Sequence, residues 1–239
     1  MSEPAGFAKF LQPDNSLTLP DWPITAMAAR FHLDHYRDRF FDDHRIVLPE
    51  ARQGAVAKRR CEFFVGRYLA KLALLARGAT TFHVPADDNR CPLWPPGLRG
   101  SISHTDTYAA CVVADCSDID ALGIDIQDWM AEAPAHKLMP RILDPQEQTV
   151  IAECALPLAQ SVSLCFSAKE SIFKALYPYI GHHFGYAAAT LQAIDESGQT
   201  LQFAFDPALQ PAALGSSILT VHYFPRPRHC LTLLNLPRR

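Results

Sequence analysis

Residues 166–176 read FSAKESIFKAL. Val162, Cys165, Phe166, Ile172, Phe173 and Leu176 recur at helical spacing, which predicts an amphipathic helix with one face on a core. Glu170 and Lys174 stand at i and i+4, so both project from one side of it. Taken alone they read as an intrahelical ion pair on a solvated face, worth about 0.5 kcal/mol and no function. A second acidic spot changes that reading. GIDIQ at 123–127 has the pattern of a strand, with Leu122, Ile124 and Ile126 on one face and Asp125 and Gln127 on the other. A carboxylate from the strand and one from the helix can converge on one hard cation, with a lysine beside them for phosphate. That is a phosphoryl-transfer constellation.

Outward from these two segments the chain divides into halves. Residues 1–44 read as irregular and locally acidic, punctuated by Pro4, Pro13, Pro20 and Pro23, with a first strand from Trp22 and Ile24. Pro49 opens a helix that runs to Arg77 and ends at Gly78. Its apolar stripe is Cys61, Phe64, Val65, Tyr68, Leu69, Leu72, Leu75 and Ala76. Arg60, Arg67 and Lys71 lie within about 40° of each other along the stripe's edge, placed to reach into a cleft. Residues 85–100 form a long Pro/Gly-rich loop, and such loops inside compact domains tend to be functional. Strands follow at 107–114 and 119–127.

The second half begins near 118. Asp144-Pro145-Gln146-Glu147 is a helix start with cap, proline and acid in order. Pro178 is expected to stop the Glu170 helix, since it cannot continue the hydrogen-bond ladder. Strands are expected at about 186–195, 200–205, 218–224 and 229–236. Each half then reads as helix plus antiparallel strands, an α+β architecture divided into 1–117 and 118–239.

Composition bounds the partners. The 239 residues are 49 % hydrophobic and 20 % charged, with a net charge of −3, so nothing global suggests a nucleic-acid binder. Charge is uneven, however: eight Lys/Arg from Arg45 to Arg77 face only Glu50 and Glu62. A local basic face suits an anionic partner or is simply a solvated helix. No apolar run approaches the roughly 18 residues of a membrane span, and the N-terminus lacks a signal-peptide pattern. The seven cysteines never form CxxC and most sit among apolar neighbours, which fits a reducing cytoplasm rather than a disulfide framework or a zinc site.

Four segments carry a resemblance: KRRCEFFVGR (58–67), NRCPLWPPGLRGSISH (89–104), GIDIQ (123–127) and FSAKESIFKAL (166–176). In this order and spacing they resemble the signature blocks of the phosphopantetheinyl transferases that serve enterobactin and surfactin synthetases. The resemblance implies an enzyme that moves the phosphopantetheine arm of coenzyme A onto a serine of an acyl or peptidyl carrier protein and releases adenosine 3′,5′-bisphosphate. It implies two similar α/β halves related by a pseudo-twofold, with coenzyme A and Mg2+ (or Mn2+) in the cleft between them. The first half then carries the coenzyme-binding helix and loop, and the second the metal strand and catalytic helix.

The resemblance also implies roles. Asp125 and Glu170 hold the metal, with Gln127 as a neutral third ligand where many members have Asp-x-Glu. Lys174 neutralises the pyrophosphate. Ser103 and His104 contact the coenzyme's phosphates, while Arg60, Arg67 and Arg90 belong to the coenzyme cleft, with the 3′-phosphate as their target. Glu170, directly or through a water, takes the serine proton. Carriers of fatty-acid, polyketide or peptide-synthetase pathways are all open, and the protein is expected to be a cytoplasmic monomer without membrane or nucleic-acid partners. The segment from Trp129 to Leu143, with Met130, Leu138, Met139, Lys137 and Arg141, is either a carrier-docking surface or a loop that packs in the core.

Other motifs carry less. Ser101 and Ser103 lack a G-x-S-x-G elbow, His182-His183 reads as loop, and there is no P-loop. Lys169 has no assignment from sequence. Two rival functions stay open: a catalytically silent coenzyme A or carrier-binding domain, and a metal-dependent phosphodiesterase that removes the arm.

Overall fold

The structure is a computed structural model that describes residues 6–19, 21–211 and 216–238. Pro4 and Pro20 lie outside the described residues. The chain divides into two compact units, Met1–Cys116 and Ser117–Arg239.

The first unit contains α1 (Phe7–Phe10), β1 (Leu11–Pro13), β2 (Ile24–Phe31), α2 (Phe40–Asp43), α3 (Glu50–Gln53), α4 (Ala57–Ala76), β3 (Leu98–His104) and β4 (Tyr108–Asp115). Its sheet is antiparallel with order β1-β2-β4-β3. The leading segment is more ordered than its prolines suggest, because Phe7, Phe10, Phe31, Phe40 and Phe64 bury almost completely in one aromatic cluster. Each such ring contributes about 1.5–3 kcal/mol of burial. The helix expected from Pro49 is broken: α3 ends at Gly54, a poor helix former, and α4 starts anew after Val56 in extended conformation. Cys61, Phe64, Val65 and Leu69 bury as expected, but the stripe drifts outward and Leu75 is 46 % exposed.

The second unit contains β5 (Ile119–Asp128), α5 (Glu132–Ile142), α6 (Pro145–Glu153), α7 (Leu158–Ile180), a 3-10 turn (Tyr186–Ala188), β6 (Ala189–Asp195), β7 (Thr200–Phe205), β8 (Ile218–Pro225) and β9 (His229–Pro237). Its antiparallel sheet has order β5-β9-β8-β7-β6. α7 lies on β5 and β9, and buries Val162, Cys165, Ala168, Ile172, Ala175 and Leu176. Each unit is therefore a helix on an antiparallel sheet, and the class is α+β as expected.

Two helix boundaries are instructive. Asp144 caps α6 through its Oδ1, which accepts from Gln146 N (2.8 Å) and Glu147 N (2.9 Å), while Glu147 Oε2 accepts from Asp144 N at 2.8 Å. This is the reciprocal cap that the sequence predicts. Pro178, by contrast, does not stop α7. It removes the donor that would pair with the carbonyl of Lys174, yet the helix continues to Ile180, which packs on the core. The stop is Gly181, in left-handed conformation at φ 76°, whose N–H donates to Tyr177 O at 2.9 Å.

Candidate active site

The site in the second unit is made where β5 and α7 touch backbone to backbone. A Cβ on Gly123 would stand 2.1 Å from Ser171 O and 2.7 Å from Ala175 N, so no side chain fits there. Two residues further along the same face, Asp125 meets α7 directly. Its Oδ1 lies 2.7 Å from Lys174 Nζ, and its Oδ2 accepts from Ser167 Oγ at 2.9 Å. Lys174 also donates to Ile124 O at 3.2 Å. The Glu170–Lys174 ion pair that helical spacing allows is replaced by this longer-range one.

Behind Asp125 runs a chain of buried hydroxyls. Ser167 Oγ and Thr232 Oγ1 are 2.9 Å apart, and Thr232 Oγ1 and Ser171 Oγ 2.7 Å apart. Because Ser167 gives its only proton to the carboxylate, Thr232 must donate to Ser167. Ser167, Ser171 and Thr232 are fully buried, and β5–β9 pairing sets Thr232 opposite Asp125. Asp125 is thus held on both oxygens, by the partly exposed Lys174 on one and by the buried Ser167 on the other.

Glu170 lies half-buried one turn along α7. Its Oε1 accepts from the Tyr186 hydroxyl at 2.9 Å, and its Oε2 has no hydrogen-bond partner among the described residues. Burial pushes the Tyr186 hydroxyl well above the usual tyrosine range, as do the hydrogen bond to Glu170 and the nearby charges of Glu170 and Asp125. Tyr186 therefore stays a donor. Lys169 points away from this centre into the fold: its Nζ lies 2.6 Å from Glu147 Oε1 and donates to Ile142 O (2.7 Å) and Tyr186 O (3.1 Å). Gln127 turns its amide along its own strand, with Nε2 donating to Asp128 O at 2.8 Å and Oε1 without a partner among the described residues.

The oxygens fit a hard divalent cation that keeps part of its water. Asp125 and Glu170 offer carboxylates and Gln127 a neutral amide oxygen. No group of three or more His, Cys, Asp or Glu residues converges as a metal site among the described residues, so any protein coordination here rests on two acids plus neutral donors.

In the first unit the basic residues of α4 have distinct fates. Arg60 is held by Asp38 through two hydrogen bonds, Nε to Oδ1 at 2.9 Å and Nη2 to Oδ2 at 2.8 Å. Lys71 donates to His44 O at 2.7 Å and sits over Phe82. Arg67 lies over the ring of Phe63 at 4.7 Å, and the guanidinium of Arg52 lies 4.7 Å from the same ring. Neither guanidinium meets a carboxylate among the described residues. Burial pulls Arg67 down to about 10, and Arg52 adds repulsion. Two cations sharing one ring without a counter-ion make a ready anion site. From sequence Arg52 is one of eight basic residues from Arg45 to Arg77 and no more. Its pairing with Arg67 depends on the turn at Gly54, which spacing along a continuous helix would not show.

The remaining residues fall as follows. Arg90 is exposed at the tip of a tight turn, with φ 67°, closed by Asp87 Oδ1 accepting from Cys91 N. Ser103 and His104 end β3, and adjacent strand residues point to opposite faces, Ser103 buried and His104 partly so. Of the α5 segment, Trp129, Met130, Leu138 and Met139 pack against the second unit's core, while Lys137 and Arg141 are exposed. The apolar residues of this segment therefore serve packing. Tyr186, Ser167 and Thr232 had no sequence signal, since their contacts join segments 16 to 65 residues apart.

Comparison with known proteins agrees with both units. The family model described as 4'-phosphopantetheinyl transferase N-terminal domain matches residues 48–114, and that described as 4'-phosphopantetheinyl transferase superfamily matches residues 121–226. The chain is 37 % identical over 158 residues to enterobactin synthase component D of Salmonella typhimurium, covering 64 % of this chain and 65 % of that one. With enterobactin synthase component D of Escherichia coli K12 the identity is 40 % over 124 residues, 52 % of this chain and 57 % of the relative. The match thus spans less than two thirds of the length of these curated relatives. With 4'-phosphopantetheinyl transferase Svp of Streptomyces mobaraensis it extends further, 31 % identity over 189 residues, covering 75 % and 72 %. Sequence blocks, helix-on-sheet units and relatives coincide, and the chain belongs to the 4'-phosphopantetheinyl transferase superfamily.

Proposed function

We propose that this protein transfers the phosphopantetheine arm of coenzyme A to a serine of an apo carrier protein. The observation that carries the reading is the 2.7 Å contact of Lys174 with Asp125 between α7 and β5, with Glu170 one turn before Lys174 on the same helix.

The chemistry is a displacement at phosphorus. The serine oxygen forms a bond to one phosphorus of the pyrophosphate, the bond to the bridging oxygen breaks, and adenosine 3′,5′-bisphosphate leaves. Reactions of this kind are accelerated by positioning and by cations on the phosphate oxygens. Mg2+, held by Asp125 and Glu170 with Gln127 as neutral ligand, would supply charge neutralisation on the pyrophosphate. Lys174 adds a second positive charge from the protein itself, and its link to Asp125 keeps it extended over the strand. The free Oε2 of Glu170, directly or through water, accepts the serine proton. In the first unit Arg52 and Arg67 bind the 3′-phosphate, with Arg90, Ser103 and His104 as further phosphate contacts. Arg60 contributes less, because Asp38 already neutralises it.

By its relatives' names, a carrier of siderophore assembly is the first substrate to test, followed by other peptide-synthetase, polyketide and fatty-acid carriers. The described residues contain no helix long and apolar enough to cross a membrane. Purified protein with coenzyme A and Mg2+ should add one phosphopantetheine to an apo-carrier, read by intact mass. No gain across a carrier panel, with Mg2+ or Mn2+, would refute the proposal. Loss of the arm from holo-carrier under the same conditions would support a phosphodiesterase instead, and coenzyme binding without either reaction a silent domain.

A further inference from the structure

We infer that Tyr186 is a positioning residue for Glu170: its hydroxyl fixes one carboxylate oxygen so that the other is presented to the divalent cation. The inference rests on the metal-dependent reading above and adds a residue that lies outside all four signature segments.

The geometry is specific. Glu170 has three rotatable side-chain bonds and only one hydrogen bond to hold it, the 2.9 Å contact from the Tyr186 hydroxyl to Oε1. Without it no hydrogen bond among the described residues would fix the carboxylate's orientation. Tyr186 is itself fixed from behind. Its carbonyl accepts from Lys169 Nζ at 3.1 Å, and its ring lies 6.0 Å from that of Phe166. Lys169 is locked in turn, its side chain 1 % exposed and 2.6 Å from Glu147 Oε1. Glu147 Oε1 also accepts from Leu191 N at 2.7 Å, which ties the same pair to β6, the strand that Tyr186's turn leads into. Lys169 and Glu170 are neighbours on α7, so one side chain holds the tyrosine's backbone and the next receives its hydroxyl. A buried ion pair thereby sets the position of a group at the reacting centre. A packing role alone would need the ring but not the oxygen.

Tyr186→Phe keeps the ring and removes the oxygen. Mn2+ binding is read from the electron paramagnetic resonance signal of the free ion, with coenzyme A present and no carrier, so that nothing turns over. Tyr186→Phe is expected to bind Mn2+ about tenfold more weakly, in the range for lost groups that orient a metal ligand. Its melting temperature and its KM for coenzyme A should match the wild type, and kcat should fall by a similar factor. In a Glu170→Gln background, adding Tyr186→Phe should cause no further loss of Mn2+ affinity. Unchanged Mn2+ affinity in Tyr186→Phe overturns the inference, as does an equal loss in both backgrounds. A Tyr186→Phe protein that melts well below the wild type places the hydroxyl in the fold and overturns it too. If the wild type binds no Mn2+ beside coenzyme A, the metal reading fails and the inference falls with it.

Discussion

Lys174 Nζ and Asp125 Oδ1 lie 2.7 Å apart, joining a helix to a strand across 49 residues of sequence. Lys174 is 27 % exposed and Asp125 only 9 %, but Asp125 keeps its bond from Ser167 without the lysine, so losing the pair costs about 1–2 kcal/mol. Its value lies in where it holds a positive charge. Lys174→Met should leave the melting temperature within a few degrees of wild type and lower kcat by about 10² to 10³, as for lost transition-state stabilisers. Parallel thermal scans and carrier-loading rates check both halves. A large drop in melting temperature with kcat preserved would reverse the assignment.

The anion site predicts a selective loss. Charge reversal at Arg67 or Arg52 should weaken coenzyme A far more than 3′-dephospho-coenzyme A, because both guanidiniums lie on Phe63 and meet no carboxylate among the described residues. Reversal at Arg60 should discriminate less, since it breaks a bond to Asp38 instead. Calorimetric titration with the two ligands measures the difference. Equal loss for both ligands in Arg67→Glu would show that these groups only pack.

How much of this was legible follows from the reach of each contact. The α7 pattern, the β5 alternation that puts Asp125 and Gln127 on one face, and the Asp144 cap are local, and local spacing predicts them. β3 is not legible, its first residues falling in the 85–100 loop and the rest without a pattern, because Ile102 is the one aliphatic side chain in GSISH and its serines bury instead. Lys169 was undecidable because its partner, Glu147, sits on another helix. Pro178 reads as a stop by itself, yet packing of Ile180 outweighs one lost hydrogen bond. The site's carboxylates were visible as sequence; the groups that hold them, Ser167, Thr232 and Tyr186, were visible only once the sheet and helix were brought together.

The Lys169–Glu147 pair should matter for stability more than any surface pair. Lys169→Met leaves Glu147 buried and unpaired, which costs about 3–5 kcal/mol. Lys169→Met with Glu147→Gln should recover part of that, because the amide oxygen can still accept from Leu191 N or Asp144 N. Urea midpoints of the two variants give the comparison. A single variant as stable as the double would show that the charge on Glu147 is not the issue.

Carrier docking on α5 now rests on its exposed basic residues. Lys137 and Arg141 stand four residues apart and open to solvent, whereas Met130 and Met139 pack inward. Reversing both charges should raise KM for an acidic carrier several-fold and leave KM for coenzyme A unchanged, the effect shrinking at high salt. Met130→Asp should instead lower the melting temperature. A double reversal with unaltered carrier kinetics would move the docking surface elsewhere.

Gln127 is where the sequence departs from the family's strand block, and the structure gives it a specific posture. Its Nε2 donates to Asp128 O, which leaves Oε1 free on the same strand face as Asp125, about 6.6 Å further along. As a neutral ligand it should matter less than either carboxylate. Gln127→Ala should cost roughly tenfold or less in rate, because magnesium readily accepts water in a vacant position. Asp125→Ala or Glu170→Ala, each removing a charge, should cost about 10² to 10³. Gln127→Glu should keep activity and lower the Mg2+ concentration for half-maximal rate, since it adds an anionic donor. Mg2+ titrations of the four variants decide the matter. Gln127→Ala as inactive as Asp125→Ala would mean that Gln127 orients the attacking serine. An unchanged Mg2+ requirement in Gln127→Glu would place the side chain outside the metal's inner shell.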